Sequence, residues 1–421
     1  NAMILNMNRQ GWNLRGAAIG SKTMHLYEKG ERYAVIYYYE QTTTAAMEIW
    51  VMTRLADGVL PTMGNGGAAA GRGRQLFPVL LSDARHLHGH GRRWRRAPAG
   101  PEPVMDAHLA FRGVGGPRLH LGVCGSVAAY RALDLVRQWQ DAGVSVSATL
   151  TPSAQKFVTP LTFAALGAAP VYTAPFDDPQ APSPFAHLEP GQVAQALVIA
   201  PASAATIARL AQGQADELLA CQALAFRGKA VIAPAMNPAM WSHPATQANI
   251  ATLRERGCAV VEPGCGRTAC GEEGQGRLAD LREIYLAGLR ALAPQDMEGI
   301  RVMVTLGPTR EHWDGLRFWT NPSTGTMGAA VAVAAWLRGA RVEAVCGPGT
   351  PWLPAGIARH NVGSARHMLE AAASVWPQCD AGVFTAAVAD FSPVPPVQGG
   401  DKKFKKSDAP DGFDVHFAPN P

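Results

Sequence analysis

The chain has 421 residues, of which 47% are hydrophobic. That length suits two or three domains, and that composition excludes wholesale disorder. The net charge of +5 is unevenly spread: 14 basic and 8 acidic residues precede position 116, and 24 basic and 25 acidic residues follow. The basic character therefore belongs to the N-terminal segment, and the near-neutral remainder gives no support to nucleic-acid binding. No uninterrupted apolar run approaches the roughly 18 residues of a membrane span. Seven cysteines occur without a CxxC pair, which argues against a disulfide framework or a tetrahedral zinc site and for reduced thiols in the cytoplasm.

Residues 1–115 form a segment of their own. The Asn1-Ala2-Met3 start reads as an expression scar rather than a secretory signal, and a true start near Met105 stays an open alternative. Residues 33–39, rich in tyrosine and β-branched side chains, predict a strand. Residues 64–74 are glycine-rich and low in complexity. His86, His88 and His90 alternate as ligands on one strand face would, but without carboxylate or cysteine company they read as a histidine-rich linker. The basic run at residues 92–96 reads as a solvated linker.

From Arg118 the pattern changes to strands alternating with helices. Residues 119–124 predict a strand, Gly125-Ser126 a turn, and residues 127–136 a helix, whose free N–H groups and dipole make an anion site. The spacing is not GxGxxG, so no nicotinamide fingerprint is assigned. Residues 144–150 predict a second strand, with Thr151 and Ser153 as caps of the next helix. A Pro/Asp-rich connector then carries His187. Residues 196–200 predict a buried strand running into Ser203 and a further helix, and residues 216–219 begin another. The strand at 229–232 delivers the chain to Pro234-Ala235-Met236-Asn237, a proline-stiffened loop that places a neutral amide just beyond a strand end. After a helix through Arg254 and a strand at 258–263, the glycine-rich stretch Ala269-Cys270-Gly271 reads as a mobile, accessible loop. Residues 281–292 predict a helix. Alternation of this kind means a parallel sheet with right-handed crossovers.

Pro234-Ala235-Met236-Asn237, Ala269-Cys270-Gly271 and His187, in this order along the chain, resemble the flavin-dependent cysteine decarboxylases over residues 118–292. The resemblance implies FMN as cofactor, with Gly125 and Ser126 cradling its phosphate. It places Thr151, Ser153, Ser203 and Met236 near the flavin as well. His187 is implied in proton handling, and Asn237 in holding the substrate carboxylate or the amide beside it. Cys270, on a flap, is the implied proton donor of the final reduction, and Met240 a positioning residue. Relatives usually carry Ala-Thr-Ala-Asn-Thr where this chain has Ser203 for threonine, which keeps the hydroxyl, and Ala205 for asparagine, which lacks the amide that the resemblance implies for a flavin contact.

A second α/β unit is predicted from Gly299, with strands at 300–305 and 382–385 and an apolar helix at 329–337. Gly307-Pro308-Thr309-Arg310-Glu311, Asn321-Pro322-Ser323-Thr324-Gly325 and Ala386-Ala387-Val388-Ala389-Asp390 resemble the phosphopantothenoylcysteine synthetase domain. Lys403-Phe404-Lys405-Lys406 matches that family's triphosphate-binding segment. The resemblance implies CTP with Mg2+, Asn321 stabilising an acyl intermediate, Asp390 accepting from cytosine, and Lys403 facing the triphosphate. Because such relatives continue past the position of Pro421, the expectation is an incomplete ligase unit.

The fold class expected is α/β, with two doubly wound Rossmann-like three-layer domains. Their expected limits are 116–293 for the decarboxylase and 299–421 for the ligase, after the N-terminal segment 1–115. The expected function is coenzyme A biosynthesis: decarboxylation of 4′-phosphopantothenoylcysteine to 4′-phosphopantetheine, and CTP-dependent ligation of 4′-phosphopantothenate with cysteine. The resemblance also implies a homo-oligomer, a trimer or dodecamer, while the cysteine usage implies the cytoplasm and the charge and apolar patterns imply no nucleic-acid or membrane partner. The alternatives are a related cysteine decarboxylase acting on another thiol and a non-catalytic flavin-fold subunit.

Overall fold

The computed structural model describes residues 13–18, 23–29, 32–41, 44–53, 106–111, 116–173, 184–395, 403–404 and 412–421. The histidine triplet at 86–90, the glycine-rich stretch at 64–74 and the basic run at 92–96 lie outside the described residues. Strands β1 (Asn13–Ala18), β2 (Thr23–Lys29), β3 (Arg32–Gln41) and β4 (Thr44–Thr53) pair antiparallel in sequence order. The strand expected at 33–39 lies within β3.

The first large sheet contains β5 (Arg118–Val123), β6 (Ser145–Leu150), β7 (Val171–Tyr172), β8 (Ala196–Ala202), β9 (Lys229–Pro234) and β10 (Ala259–Val260). All are parallel, in the order β10-β9-β8-β5-β6-β7. Counted from β5, that is the 3-2-1-4-5-6 order of a dinucleotide-binding fold read from its other edge, so the strand order reverses between β5 and β8. Every residue of β8 is buried, as expected for a parallel strand covered on both faces. The covering helices are α1 (Ala132–Asp141), α2 (Pro160–Ala165), α3 (Glu189–Val193), α4 (Ala204–Gln212), α5 (Leu218–Ala225), α6 (Pro238–Ser242), α7 (Pro244–Glu255) and α8 (Leu281–Leu292).

Three local expectations differ from the structure. The chain after Ser126 runs first as a 3-10 turn, Val127–Arg131, and becomes α-helical only at Ala132. The turn after Thr151 is likewise 3-10, Ala154–Lys156, and α2 starts afresh at Pro160, whose fixed φ suits a first helical position. The strand expected at 258–263 shortens to the two residues of β10. Pro263 has no N–H to donate to a ladder, and the chain turns there into the hairpin β11 (Gly264–Arg267) and β12 (Glu273–Arg277).

The second sheet has the parallel order β17-β16-β13-β18, from β13 (Arg301–Leu306), β16 (Arg341–Cys346), β17 (Ala358–Asn361) and β18 (Ala381–Phe384). Counted from β13 it repeats the 3-2-1-4 start of the first sheet. Hairpin β14 (Arg310–His312) and β15 (Phe318–Thr320) leaves its carboxyl edge, and β19 (Phe391–Pro393) pairs with β20 (Phe417–Pro419). Helices α9 (Thr326–Leu337) and α10 (Ala365–Val375) cover it.

The alanine- and valine-rich α9 is apolar nearly all round, the pattern of a helix enclosed on every side. One continuous apolar cluster contains Leu121 and Val198 of the first sheet, Ile284 and Leu286 of α8, Val333 of α9 and Val304 of the second sheet. Polar contacts reinforce the junction. Glu283 accepts the Ala355 N–H at 2.9 Å, and the Arg282 and Arg290 guanidinium groups lie 4.4 Å from the ring centres of Trp352 and Trp336. The short turn Ala107–Leu109 joins the same junction: His108 Nε2 donates to the Trp352 carbonyl at 2.7 Å, and Tyr285 Oη donates to the Leu109 carbonyl at 3.2 Å.

A polar relay crosses the otherwise apolar first sheet. Ser147 Oγ lies 2.8 Å from His120 Nδ1, His120 Nε2 lies 2.9 Å from Thr149 Oγ1, and Thr149 donates to Gln222 Oε1 at 2.7 Å. Gln222 Nε2 then donates to the Ala186 carbonyl at 2.8 Å. Thr149 spends its proton on Gln222, so His120 must be protonated at Nε2 and must accept from Ser147 at Nδ1. His120 is fully buried, and burial lowers its pKa to about 4.

A folded-state pKa below the unfolded one contributes stability that is present at neutral pH and is lost as pH falls from about 6.5 toward 4. Taking the chain from pH 7 to pH 5 should therefore cost about 2 kcal/mol through this histidine. Urea titrations of the parent and of His120→Asn at both pH values check this, and the variant should show the smaller difference between them.

Candidate active site

The amide of Asn237 is oriented by the backbone. Residues Met236 and Asn237 leave the carboxyl end of β9, and Pro238 opens α6 at its first position. Asn237 is the cap residue, and its Oδ1 accepts the Ala239 N–H at 2.8 Å. With the oxygen committed, Nδ2 faces away from the helix, toward the turn between β11 and β12. There it donates to Glu272 Oε2 at 2.8 Å and to Cys270 Sγ at 3.4 Å.

The flap is thus a two-stranded hairpin rather than the open loop expected from its glycines. Those glycines let it lie close to the Asn237 loop. The Met236 N–H donates to the Gly276 carbonyl at 2.9 Å, and a Cβ on Gly276 would sit 2.4 Å from the Met236 oxygen. At the tip, the Gly271 N–H closes on the Thr268 carbonyl at 3.0 Å. Thr268 Oγ1 lies 3.0 Å from Cys270 Sγ and 2.9 Å from the Glu272 carbonyl.

Thr268 has a single hydroxyl proton, which cannot serve both neighbours. While the hydroxyl donates to the Glu272 carbonyl, the thiol of Cys270 donates to Thr268. When Cys270 ionises, the hydroxyl is free to turn to the sulfur. The Thr268 hydroxyl, then the Glu272 backbone N–H and the Asn237 amide, hold the exposed Cys270 thiol below its ordinary pKa. The nearby Glu272 carboxylate pushes it the other way. Sequence reasoning found Asn237 and Cys270 but missed Thr268 and Glu272. Their only signal was placement two residues on either side of the cysteine in a turn.

Of the other expected residues, Gly125, Ser126, Thr151, Ser153 and Ser203 follow the ends of β5, β6 and β8, beside the first sheet's reversal point. Ser126 Oγ accepts the Ala128 N–H at 3.2 Å, and Ser203 Oγ accepts the Thr206 N–H at 3.3 Å, so both hydroxyls cap chain starts beyond β5 and β8. Gly125 has no room for a side chain, since its Cβ would lie 2.4 Å from that of Ser153. The two loops therefore touch at Gly125. Ser153 is exposed, whereas Thr151 is buried and its hydroxyl accepts the Ala154 N–H at 3.2 Å. Ala205 is exposed at the start of α4. His187 stands on the turn before α3, next to the residue whose carbonyl ends the His120 relay. Met236 packs against the core cluster beneath α4 and α7, and Met240 is exposed on α6.

At the second sheet, Asn321 Nδ2 donates to the carbonyls of Val388 at 3.1 Å and Ala387 at 3.4 Å, on the loop that carries Asp390. Thr309 Oγ1 accepts the Ala389 N–H at 3.1 Å, and Asn420 Nδ2 donates to the Ala389 carbonyl at 2.7 Å. Asp390 and Lys403 are exposed. Phe404, beside Lys403, is fixed by its N–H to Asp314 at 3.1 Å and by packing against Trp313, whose ring stacks on Phe413 at 4.8 Å.

Residues 112–288 match the Flavoprotein family, and residues 297–421 match the DNA/pantothenate metabolism flavoprotein C-terminal domain. The chain is 36% identical to the coenzyme A biosynthesis bifunctional protein CoaBC of Vibrio vulnificus, over 73% of this chain and 75% of that protein. It is 42% identical to CoaBC of Bacillus subtilis, over 68% of this chain and 71% of that protein. The chain belongs to the bifunctional coenzyme A biosynthesis family. Among solved structures, it is similar to a cysteine-to-serine mutant of PPC decarboxylase complexed with pantothenoylaminoethenethiol. That likeness has a TM-score of 0.36 and 31% identity over 41% of this chain and 96% of that one. It is also similar to the FMN-dependent cysteine decarboxylase SpaF, with a TM-score of 0.37 and 34% identity over 44% of this chain and 99% of that one.

In this coenzyme A biosynthesis protein the donor chemistry around Gly125, Ser126 and Ser203 fits a phosphate-bearing flavin. Two hydroxyls and two capped chain starts follow the neighbouring strands that flank the reversal point of a doubly wound sheet. Replacing Thr268 by Val removes the hydroxyl that favours the Cys270 thiolate. The pH midpoint for alkylation of Cys270 by iodoacetamide should therefore rise, read by peptide mass spectrometry across a pH series.

Proposed function

We propose that the first sheet carries FMN-dependent decarboxylation of 4′-phosphopantothenoylcysteine to 4′-phosphopantetheine. The second would carry CTP-dependent ligation of 4′-phosphopantothenate with cysteine. The observation that carries the first assignment is the Asn237 amide aimed at Cys270 on the β11–β12 hairpin. When bound, FMN supplies the two-electron oxidation of the substrate thiol that lets carbon dioxide leave, and the later return of those electrons. Gly125, Ser126 and Ser203 would hold its phosphate end, with Ser153 and Thr151 shaping the neighbouring loop and Met236 the wall below.

Asn237 holds the substrate carboxylate through Nδ2, the atom that donates to the Glu272 carboxylate. His187 takes or returns the proton of the substrate thiol. Cys270 donates its Sγ proton to the ene-thiol carbon in the last reduction. A thiol held below its ordinary pKa gives up that proton more readily than a free one. The hairpin excludes water while it does so, and exposed Met240 positions the substrate's pantothenoyl arm.

In the ligase half, Asn321 would stabilise the acyl intermediate, Asp390 would accept from cytosine, and Lys403 with Mg2+ would face the triphosphate. The anchoring of Phe404 supports this, because it fixes the start of the lysine-rich segment. Exposed Val127, Tyr130, Phe157 and Leu161, on the turns after β5 and β6 and at α2, support a homo-oligomer, a trimer or dodecamer. No helix among the described residues is long and apolar enough to cross a membrane, and the cytoplasm is the compartment we assign.

Anaerobic incubation with 4′-phosphopantothenoylcysteine should release carbon dioxide and form 4′-phosphopantetheine, followed by mass spectrometry and the flavin spectrum. Cys270→Ser should accumulate an oxidised, decarboxylated product instead. A flavin spectrum without turnover would remove this substrate from the assignment. For the second half, CTP, Mg2+, cysteine and 4′-phosphopantothenate should yield CMP, with at least a 100-fold loss in Asn321→Ala, about the cost of removing one oxyanion-type donor.

A further inference from the structure

The hydrogen bond between Asn237 and Glu272 has a partner that the chemistry above does not use. Asn237 has two amide protons. One goes to Cys270 Sγ and the other to a carboxylate, Glu272 Oε2, at 2.8 Å. Because Oδ1 is held by the Ala239 N–H, the amide cannot turn over to offer a fresh donor. A second carboxylate arriving at Asn237 must therefore displace Glu272.

We propose that Glu272 is a built-in stand-in for the substrate's carboxylate, holding the Asn237 amide and yielding it only to a carboxylated ligand. This rests on the assignment of Asn237 as the substrate carboxylate's partner.

Glu272 is exposed at the turn of a two-stranded hairpin, so it can swing into solvent with little loss of packing. Its backbone stays engaged while it does so: the Glu272 carbonyl accepts the Thr268 N–H at 2.8 Å as well as the Thr268 hydroxyl. Latch and hinge are thus separate parts of one residue. Two carboxylates cannot share the single remaining N–H, and like charges at that distance repel. Substrate binding breaks the latch. The product has lost its carboxylate, so Glu272 can return to Asn237 while product is still present. The residue thereby discriminates between the two ends of the reaction, which otherwise share every atom of the phosphopantothenoyl arm.

The test is steady-state kinetics on the flavin-loaded full chain, comparing the parent with Glu272→Gln. Removing the competing charge should lower KM for 4′-phosphopantothenoylcysteine about fivefold to tenfold. The inhibition constant of 4′-phosphopantetheine should stay within about twofold. In an Asn237→Ala background the same Glu272→Gln change should leave KM for substrate unaltered, since the latch has lost its other half. A rise in KM would overturn the proposal and make Glu272 a direct substrate contact. An equal change in both constants would also overturn it, as the signature of a general effect on the flap.

If the parent does not turn this substrate over, the functional assignment fails on its own. The latch is then read without ligand, by the rate at which iodoacetamide alkylates Cys270. Glu272→Gln should raise that rate several-fold at pH 7, and an unchanged rate would sink the latch as well.

Discussion

The hydrogen bond from the Ala239 N–H to Asn237 Oδ1 fixes what the rest of the site can do. An unrestrained asparagine amide is ambivalent, able to present either its donor or its acceptor edge. Capping α6 removes that freedom: the oxygen is spent on the helix, and the two N–H groups are left for whatever lies beyond β9. Pro238 reinforces the arrangement by starting the helix at the next residue. Local helix chemistry of the most ordinary kind is thus converted into a directional donor pair at a sheet's carboxyl edge. The hairpin bearing Cys270 is built to meet it, with its β12 strand bonded to the same loop through Gly276.

The second sheet uses a different solution at the equivalent place. Asn321 also follows an excursion from the carboxyl edge, but its amide donates to backbone carbonyls of the loop between β18 and β19. It shapes that loop instead of confronting a second side chain. Thr309 and Asn420 hold the neighbouring Ala389 from both sides. The two sheets therefore share a topology, 3-2-1-4 from their first strands, while their asparagines differ in what they touch.

Much of this was legible in the sequence because it is local. Helix α8 was expected at 281–292 and is found at Leu281–Leu292, since Asp280 caps it and its apolar spacing is regular. The Pro-Ala-Met-Asn and Ala-Cys-Gly motifs named the two residues that meet across the flap. What could not be read was non-local. His120, Ser147, Thr149 and Gln222 come from two strands and a helix up to 102 positions apart, and each alone looks like an isolated polar residue in an apolar run. The flap's strands were hidden by glycine, which is a poor strand former by propensity but is required here by the approach of the Met236 carbonyl. The turn at Ala107–Leu109 was hidden by the unfamiliar segment before it, although it packs into the junction of the two sheets.

That junction has a consequence for how such a chain can be divided. The apolar cluster runs without a break from the first sheet through α8 and α9 to the second, and Arg282, Glu283 and Arg290 tie the two faces at its edge. Cutting the linker between residues 293 and 299 would strip partners from both helices at once and leave two sticky faces in water. Two separate genes could encode these halves only after those faces had been rewritten with polar side chains or given another cover. One polypeptide makes the two units in equal number, and the shared interior makes the folding of each depend on the other.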